Sequence, residues 1–416
     1  MGAATFSVTR GGCNPRVVRA SLTLTDPARA GQGLGPFMID PMLSRFLRGA
    51  AAYYALALVA IHAEPTLTDH GQYFKSSPSA DVGLTTVPAS DSRFLYEGRF
   101  DTAKPAAPVA IWEGSRIWID FEGSRIALLF DHLQDQCFFD VHVDGMSHVL
   151  ALRDPSQHCY ELTLPLGPGR HRLMLFKRSE ATAGTVAFKG IQVAHGAALW
   201  AAQRPTYRMK MEFIGDSITV GACNEDGPAD QWDDRLTHDN ALSYGALTAA
   251  AFHADYRCIA VSGMGICAGY VPMLAGQVWD RVYPRVGAPK ADLTSWQPDV
   301  VFVNFGENDN SFTSVHHEPF PPGFTAGYVA LVQSIRAAYP KAEIVLLRGG
   351  MFGGAKSEVL RKAWMAAVTK LEAGDRDVTH FVFTHWTETH PRVKDDQAMA
   401  DELSSWLGNQ PFMQGR

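Results

Sequence analysis

The chain lacks any long run of one charge. Its 416 residues carry a net charge of −6 with acids and bases interspersed, which gives neither nucleic acid nor an anionic membrane surface a footprint. It lacks an apolar stretch long enough for a comfortable transmembrane helix. The run from Gly49 to Ile61 falls short of the ~20 residues that a helix needs to span a bilayer. It contains no CxxC and no HExxH, so no spacing resembles a zinc site, and no metal is expected. Internal repeats and low-complexity tracts are missing. Cysteine is scarce, with six residues.

What is present is globular: 46% hydrophobic and 19% charged residues over a length suited to two domains. Residues 1–41, rich in Gly, Pro and Arg, read as a leader or a mis-called upstream extension. Arg45 to Arg48, the apolar run after them and Ala63 have the order of a secretory signal peptide over 42–63. That predicts a secreted or periplasmic protein with no membrane span once mature. Cleavage after Ala63 would leave five cysteines, an odd number. Cys137 with Cys159, and Cys223 with Cys267, are the pairs open to bridging.

Residues 64–84 are polar and Ser/Pro-rich and read as a linker. From 85 to 197 short alternating segments, such as Arg116 to Phe121 and Cys137 to Val143, are separated by Gly-containing turns. They predict an all-β sandwich, a jelly roll. Over 198–412 apolar strands alternate with helical segments. Strands are expected at 211–214, 256–261, 299–305, 343–347 and 378–383, and helices from Asn240 to Ala251 and over 323–339, 356–371 and 394–407. This pattern predicts a three-layer α/β/α domain with a parallel sheet.

In open parallel sheets the functional groups gather at the carboxyl ends of the strands. Ser217 follows the first strand within Gly215-Asp216-Ser217, where a tight strand-to-helix turn exposes a hydroxyl. Gly263 follows the second strand, and Asn308, within Gly306-Glu307-Asn308-Asp309, follows the third. His390-Pro391 follows the fifth. A serine hydroxyl needs a base to become a nucleophile, and His390 is placed to supply one. Glycine lets a backbone N–H approach a substrate closely, and an Asn amide is a suitable oxyanion donor.

These four blocks, in this order, resemble those of the SGNH (GDSL-like) hydrolases. The resemblance implies Ser217 as nucleophile, His390 as base, and the Ser217 N–H, Gly263 and Asn308 as an oxyanion hole, with no cofactor. Many such enzymes carry Asp three residues before the His. Here Thr387 stands there, and Glu388 is the nearest acid, able to orient His390 through its side chain or its main-chain carbonyl. A sandwich ahead of this domain, Arg93 to Phe100 and Lys177-Arg178-Ser179-Glu180 are similar to carbohydrate esterase family 2 acetylesterases, which use a Ser–His dyad with a backbone carbonyl in the third role. That implies removal of O-acetyl groups from acetylated polysaccharide or oligosaccharide, such as xylan or glucomannan. A lipase, thioesterase or arylesterase on the same scaffold, and a polysaccharide-binding protein with little hydrolysis, are the alternatives. Trp386, in the His390 loop, is expected to line the cleft. Trp232, Trp279 and Trp364 are weaker candidates for it. His380 and His385 read as structural.

Overall fold

A computed structural model describes residues 73–76 and 83–414. The leader and signal-peptide readings, and Cys13, lie outside the described residues.

The first layer pair is an antiparallel sandwich. One sheet runs in the order 74–76, 159–162, 126–135, 184–194, 109–110 and 100–101, with 84–88 added on 184–194. The other runs 199–200, 116–122, 170–177, 137–143 and 146–152, with 95–97 added on 116–122. Period-two alternation puts Ile117, Ile119 and Phe121 of one strand into the same core as Phe139, Val141 and Val143 of another. The stretch read as a linker, 64–84, departs from that reading. Phe74–Ser76 pairs antiparallel with Cys159–Leu162, and three residues are too few to show a period.

The second part is a five-stranded parallel sheet in the order 254–260, 209–215, 300–304, 343–351 and 378–387. Its strands are apolar on both faces because helices cover both. Val301, Val303, Ile344 and Leu346 face the layer of helices Phe324–Ala338 and Glu358–Gly374. Their neighbours Val300, Phe302, Val345 and Leu347 face Tyr244–Ala251 and Val393–Leu407. Asn240 does not cap the first of these helices. Ser243 does, accepting from Ala246 N–H, while Asn240 is buried and donates to Val220 O at 2.9 Å.

The sandwich and the α/β part belong to one compact unit. Ile111, Trp112 and Ala181 of the sandwich are buried in the core of the parallel-sheet layer. The five cysteines of the described residues are free thiols, so neither expected bridge forms. Among the described residues no helix is long and apolar enough to cross a membrane.

Candidate active site

Ser217 opens the four-residue helix Ser217–Val220, directly after the first strand of the parallel sheet. As the first helical residue its N–H has no partner in the helix ladder. Asp216 caps the turn by accepting from Ile218 N–H at 3.2 Å. Gly215 is required here, because a Cβ at that position would collide with the Thr219 hydroxyl. The second glycine of the site, Gly263, has φ +81°, and a Cβ there would crowd Tyr270 at 3.1 Å.

The structure brings Ser217, Gly263, Asn308 and His390 around one cleft of about 540 Å³, together with Glu180, Trp232, Tyr270 and Met351. His390 Nε2 lies 2.8 Å from Ser217 Oγ. Its other ring nitrogen, Nδ1, lies 2.7 Å from a carboxylate, and that carboxylate is Asp230. This corrects the expectation for Glu388, which is exposed. The last strand ends at Thr387, whose hydroxyl donates to Thr389 O at 2.6 Å. Asp230 instead comes from the connection that follows the Ser217 helix, and Arg392 ties that connection down. Its guanidinium donates to Gly227 O at 2.9 Å and His390 O at 2.8 Å, and pairs with Asp230 at 2.9 Å.

Burial alone would raise the Asp230 carboxyl. The hydrogen bond and charge of His390, with Arg392, instead hold it down to about 2. An ionised Asp230 accepts a hydrogen bond from Nδ1–H of the neutral ring, which leaves Nε2 as acceptor for the Ser217 hydroxyl. Asn308 Nδ2 is fixed by Asp216 Oδ2 and Met264 O, each at 3.1 Å. Asp309 holds the loop beyond Gly263 by accepting from the N–H groups of Ile266, Cys267 and Ala268.

Two further departures concern aromatic residues. Trp386 is not among the residues lining the cleft; it sits in the strand ladder, with Phe352 and the Lys356 ammonium against its ring. Trp232 lines the cleft instead, 37% exposed and edge-on to His390 at 5.1 Å between centroids. Trp279 and Trp364 are core residues. His380 is paired with Glu372, and His385 with Asp395. Cys223 lies within ligand reach of Asp226 with His238, and of Asp230 with His390. Asp226 already accepts from Gln231 and Thr237, and both nitrogens of His390 are engaged.

The sandwich reaches this site through Lys177-Arg178-Ser179-Glu180. Lys177, with no exposure, donates to Ser179 O and Glu180 O at 2.6 and 3.1 Å. Glu180 is 1% exposed; it accepts from Ser262 N–H at 2.8 Å and from Arg235 at 3.2 Å. Arg178 is buried among Asp140, Glu225 and Asp239. One sandwich corner therefore holds the Gly263 loop on one side and both ends of the Asp230 loop on the other. Glu180→Gln keeps one acceptor and loses the charge. The expected result is a fall in kcat of about tenfold to a hundredfold at unchanged KM, read from steady-state kinetics on an aryl acetate.

Glu113, the second sandwich carboxylate at this junction, is fully buried and accepts from Ala260 N–H at 2.9 Å and Ala181 N–H at 3.1 Å. Burial raises its carboxyl from 4.5 to about 7, against the smaller opposing effects of Lys177 and the backbone donors. A carboxyl raised in the fold costs stability on ionisation. The cost is nil below its ordinary value near 4.5, grows as pH rises and is complete above about 7, on the order of 3 kcal/mol. The wild type is expected to lose stability relative to Glu113→Gln across that window, as measured by denaturant unfolding at stepped pH.

Residues 96–203 match the family model Carbohydrate esterase 2 N-terminal, and residues 213–403 match the GDSL-like Lipase/Acylhydrolase family. The chain is 30% identical over 326 residues to Cellulase/esterase CelE of Acetivibrio thermocellus; the match covers 76% of this chain but only 39% of that longer protein. It is 29% identical to an acetylxylan esterase / glucomannan deacetylase of Cellvibrio japonicus, covering 73% of this chain and 86% of the relative. Among solved structures, a family two carbohydrate esterase from Clostridium thermocellum in complex with cellohexaose is 29% identical with a TM-score of 0.68. That match covers 76% of this chain and 98% of that one. A family two carbohydrate esterase from Cellvibrio japonicus, at 22% identity and a TM-score of 0.69, shares the fold.

Proposed function

The chain is a GDSL-like (SGNH) hydrolase of the family 2 carbohydrate esterase kind, a carboxylic ester hydrolase, and from that premise we propose that it removes O-acetyl groups from hemicellulose by serine catalysis. The observation that carries the reading is the line of contacts from Asp230 through His390 to Ser217, at 2.7 and 2.8 Å, opening on a cleft. Ser217 Oγ attacks the acetyl carbonyl while His390 Nε2 takes its proton. Asp230 holds the imidazole in the required tautomer and balances the charge that forms. The developing oxyanion meets the Ser217 N–H, the Gly263 N–H and Asn308 Nδ2. The Asn308 contact competes with Asp216, which already orients that amide. His390 then returns the proton to the sugar oxygen, and water releases acetate from the acyl-enzyme. Trp232, partly exposed in the cleft with the Arg235 guanidinium over its ring, stands beside His390 where the sugar would leave.

A leader over 1–41 and a signal peptide over 42–63 would direct the protein to the periplasm or out of the cell, where acetylated xylan or glucomannan is the substrate. The two domain spans are proposed as 85–197 and 198–412, although the sandwich draws on a strand from within 64–84. A lipase-type preference is the competing reading. Initial rates on aryl esters of increasing acyl length separate the two. The acetyl ester is expected to be the best substrate, and activity confined to long acyl chains would sink the acetylesterase reading.

A further inference from the structure

The loop that carries Asp230 also carries Arg235, the first residue of the short turn Arg235–Thr237. Sandwich residues fix this part of the loop. Gln136 accepts from Arg235 N–H at 3.0 Å and donates to Asp233 O at 2.7 Å, and Arg153 pairs with Asp234 at 2.6 Å. Glu180 takes the side chain itself, accepting from Arg235 Nη1 at 3.2 Å. The guanidinium then lies over the Trp232 ring, 4.7 Å from its centroid. Trp232 is edge-on to His390. Arg235 therefore lines the catalytic cleft on the side where the base works.

Only one end of this guanidinium is engaged. Nε and Nη2 hold no hydrogen bond among the described residues, and neither is sealed from solvent, the side chain being 23% exposed. Arg392, the other arginine beside His390, directs its donors to Gly227 O, His390 O and Asp230. A planar cation held at one end presents its remaining donors in a fixed direction. Glu180 balances the charge of Arg235, so an anion gains little from it. A neutral oxygen gains a charge-assisted hydrogen bond.

In the acetylesterase reading the carbonyl oxygen is met by the Ser217 and Gly263 N–H groups and Asn308, which leaves Arg235 for the alcohol side of the ester. We propose that Arg235 is a specificity-determining residue. Its open donors bind a ring hydroxyl next to the acetylated oxygen, so the cleft selects an acetylated sugar over the acetate of an apolar alcohol. A site built to bond a hydroxyl rejects the analogue without one, because its donors are then left unpaired. The inference rests on the acetylesterase reading and names the part of the substrate that the sandwich, through Gln136 and Glu180, positions the chain to recognise.

Initial rates on a mono-O-acetylated methyl xyloside and on cyclohexyl acetate test this. Both leaving alcohols are secondary and on six-membered rings, and only the sugar has neighbouring hydroxyls. The wild type is expected to favour the sugar ester in kcat/KM by at least about tenfold, and Arg235→Met to lower that preference by at least about tenfold. Loosening Glu180 slows both esters alike, so the ratio isolates the contact with the alcohol. Arg235→Lys keeps a charge opposite Glu180 without the fork and is expected to lower the preference by a smaller factor; it carries the test if Arg235→Met does not fold. Equal losses on both esters, or a preference that the variant retains, overturn the inference. A wild type that hydrolyses cyclohexyl acetate as readily as the sugar ester removes this contact and keeps the esterase; one that hydrolyses neither, nor an aryl acetate, removes both.

Discussion

Ser217→Ala is expected to lower kcat/KM on an aryl acetate by at least about 10⁴-fold, equivalent to about 5.5 kcal/mol of lost transition-state stabilisation. The hydroxyl is the only group of the cleft within hydrogen-bond reach of His390 Nε2 among the described residues. Among the described residues the other aliphatic hydroxyls that line the cleft, those of Thr182, Ser262 and Ser311, have no hydrogen bond to His390. Of the nearby cysteines, Cys223 is buried with its thiol raised by that burial and by Asp230 and Asp226, so it does not offer a thiolate. The substitution leaves Asp216 as cap and removes one oxygen at a helix start, so denaturant unfolding should shift by no more than about 0.5 kcal/mol. A Ser217→Ala protein with unchanged turnover would place the chemistry on another residue.

The second large effect separates Asp230 from Glu388. Asp230→Asn keeps the volume but replaces an ionised acceptor with an amide that can donate. Imidazole then turns its proton towards Ser217, and Nε2 can no longer accept. The expected loss in kcat is about 10³- to 10⁴-fold. Glu388→Gln, at an exposed position, leaves kcat unchanged. The reverse ranking in steady-state assays would restore the acid two residues before His390. Asp230 also ties its loop to the fold. Its carboxyl is held below the usual 3.8, at about 2, so the contribution is present above the ordinary value and is lost as pH falls through about 2.

The particular residues show what could be read along the chain and what could not. Ser217 and Asn308 each follow a strand within a short local motif, so a few consecutive letters located them. The strand Val300–Asn304 stood out because both of its faces are covered. Asp230 gave no such signal. It lies 160 residues from His390, in a loop where Glu225, Asp226, Asp233 and Asp234 are equally acidic. Only the folding of that loop across the site, under Arg392, selects it. Trp386 misled through proximity to His390: the last strand extends to Thr387, which fixes Trp386 in a ladder opposite Gly350 while His390 lies in the turn beyond. Trp232 reaches the cleft by the same loop as Asp230 and was hidden for the same reason. Strands of two residues, such as Val109–Ala110, have no period to detect. Lys177 to Glu180 were visible as a motif, but their role depends on where the two domains meet.

The fold also bears on how separable the sandwich is. Glu113 and Glu180 each accept a backbone N–H from the strand and loop that lead to Gly263. A sandwich that only bound glycan would have no need of these contacts. The most direct measurement of the whole account is acetate release from acetylated glucomannan by the wild type and by Ser217→Ala, side by side. The account predicts steady release by the wild type and none above background by the variant; equal release from both, or none from a wild type that hydrolyses long-chain esters, would contradict it.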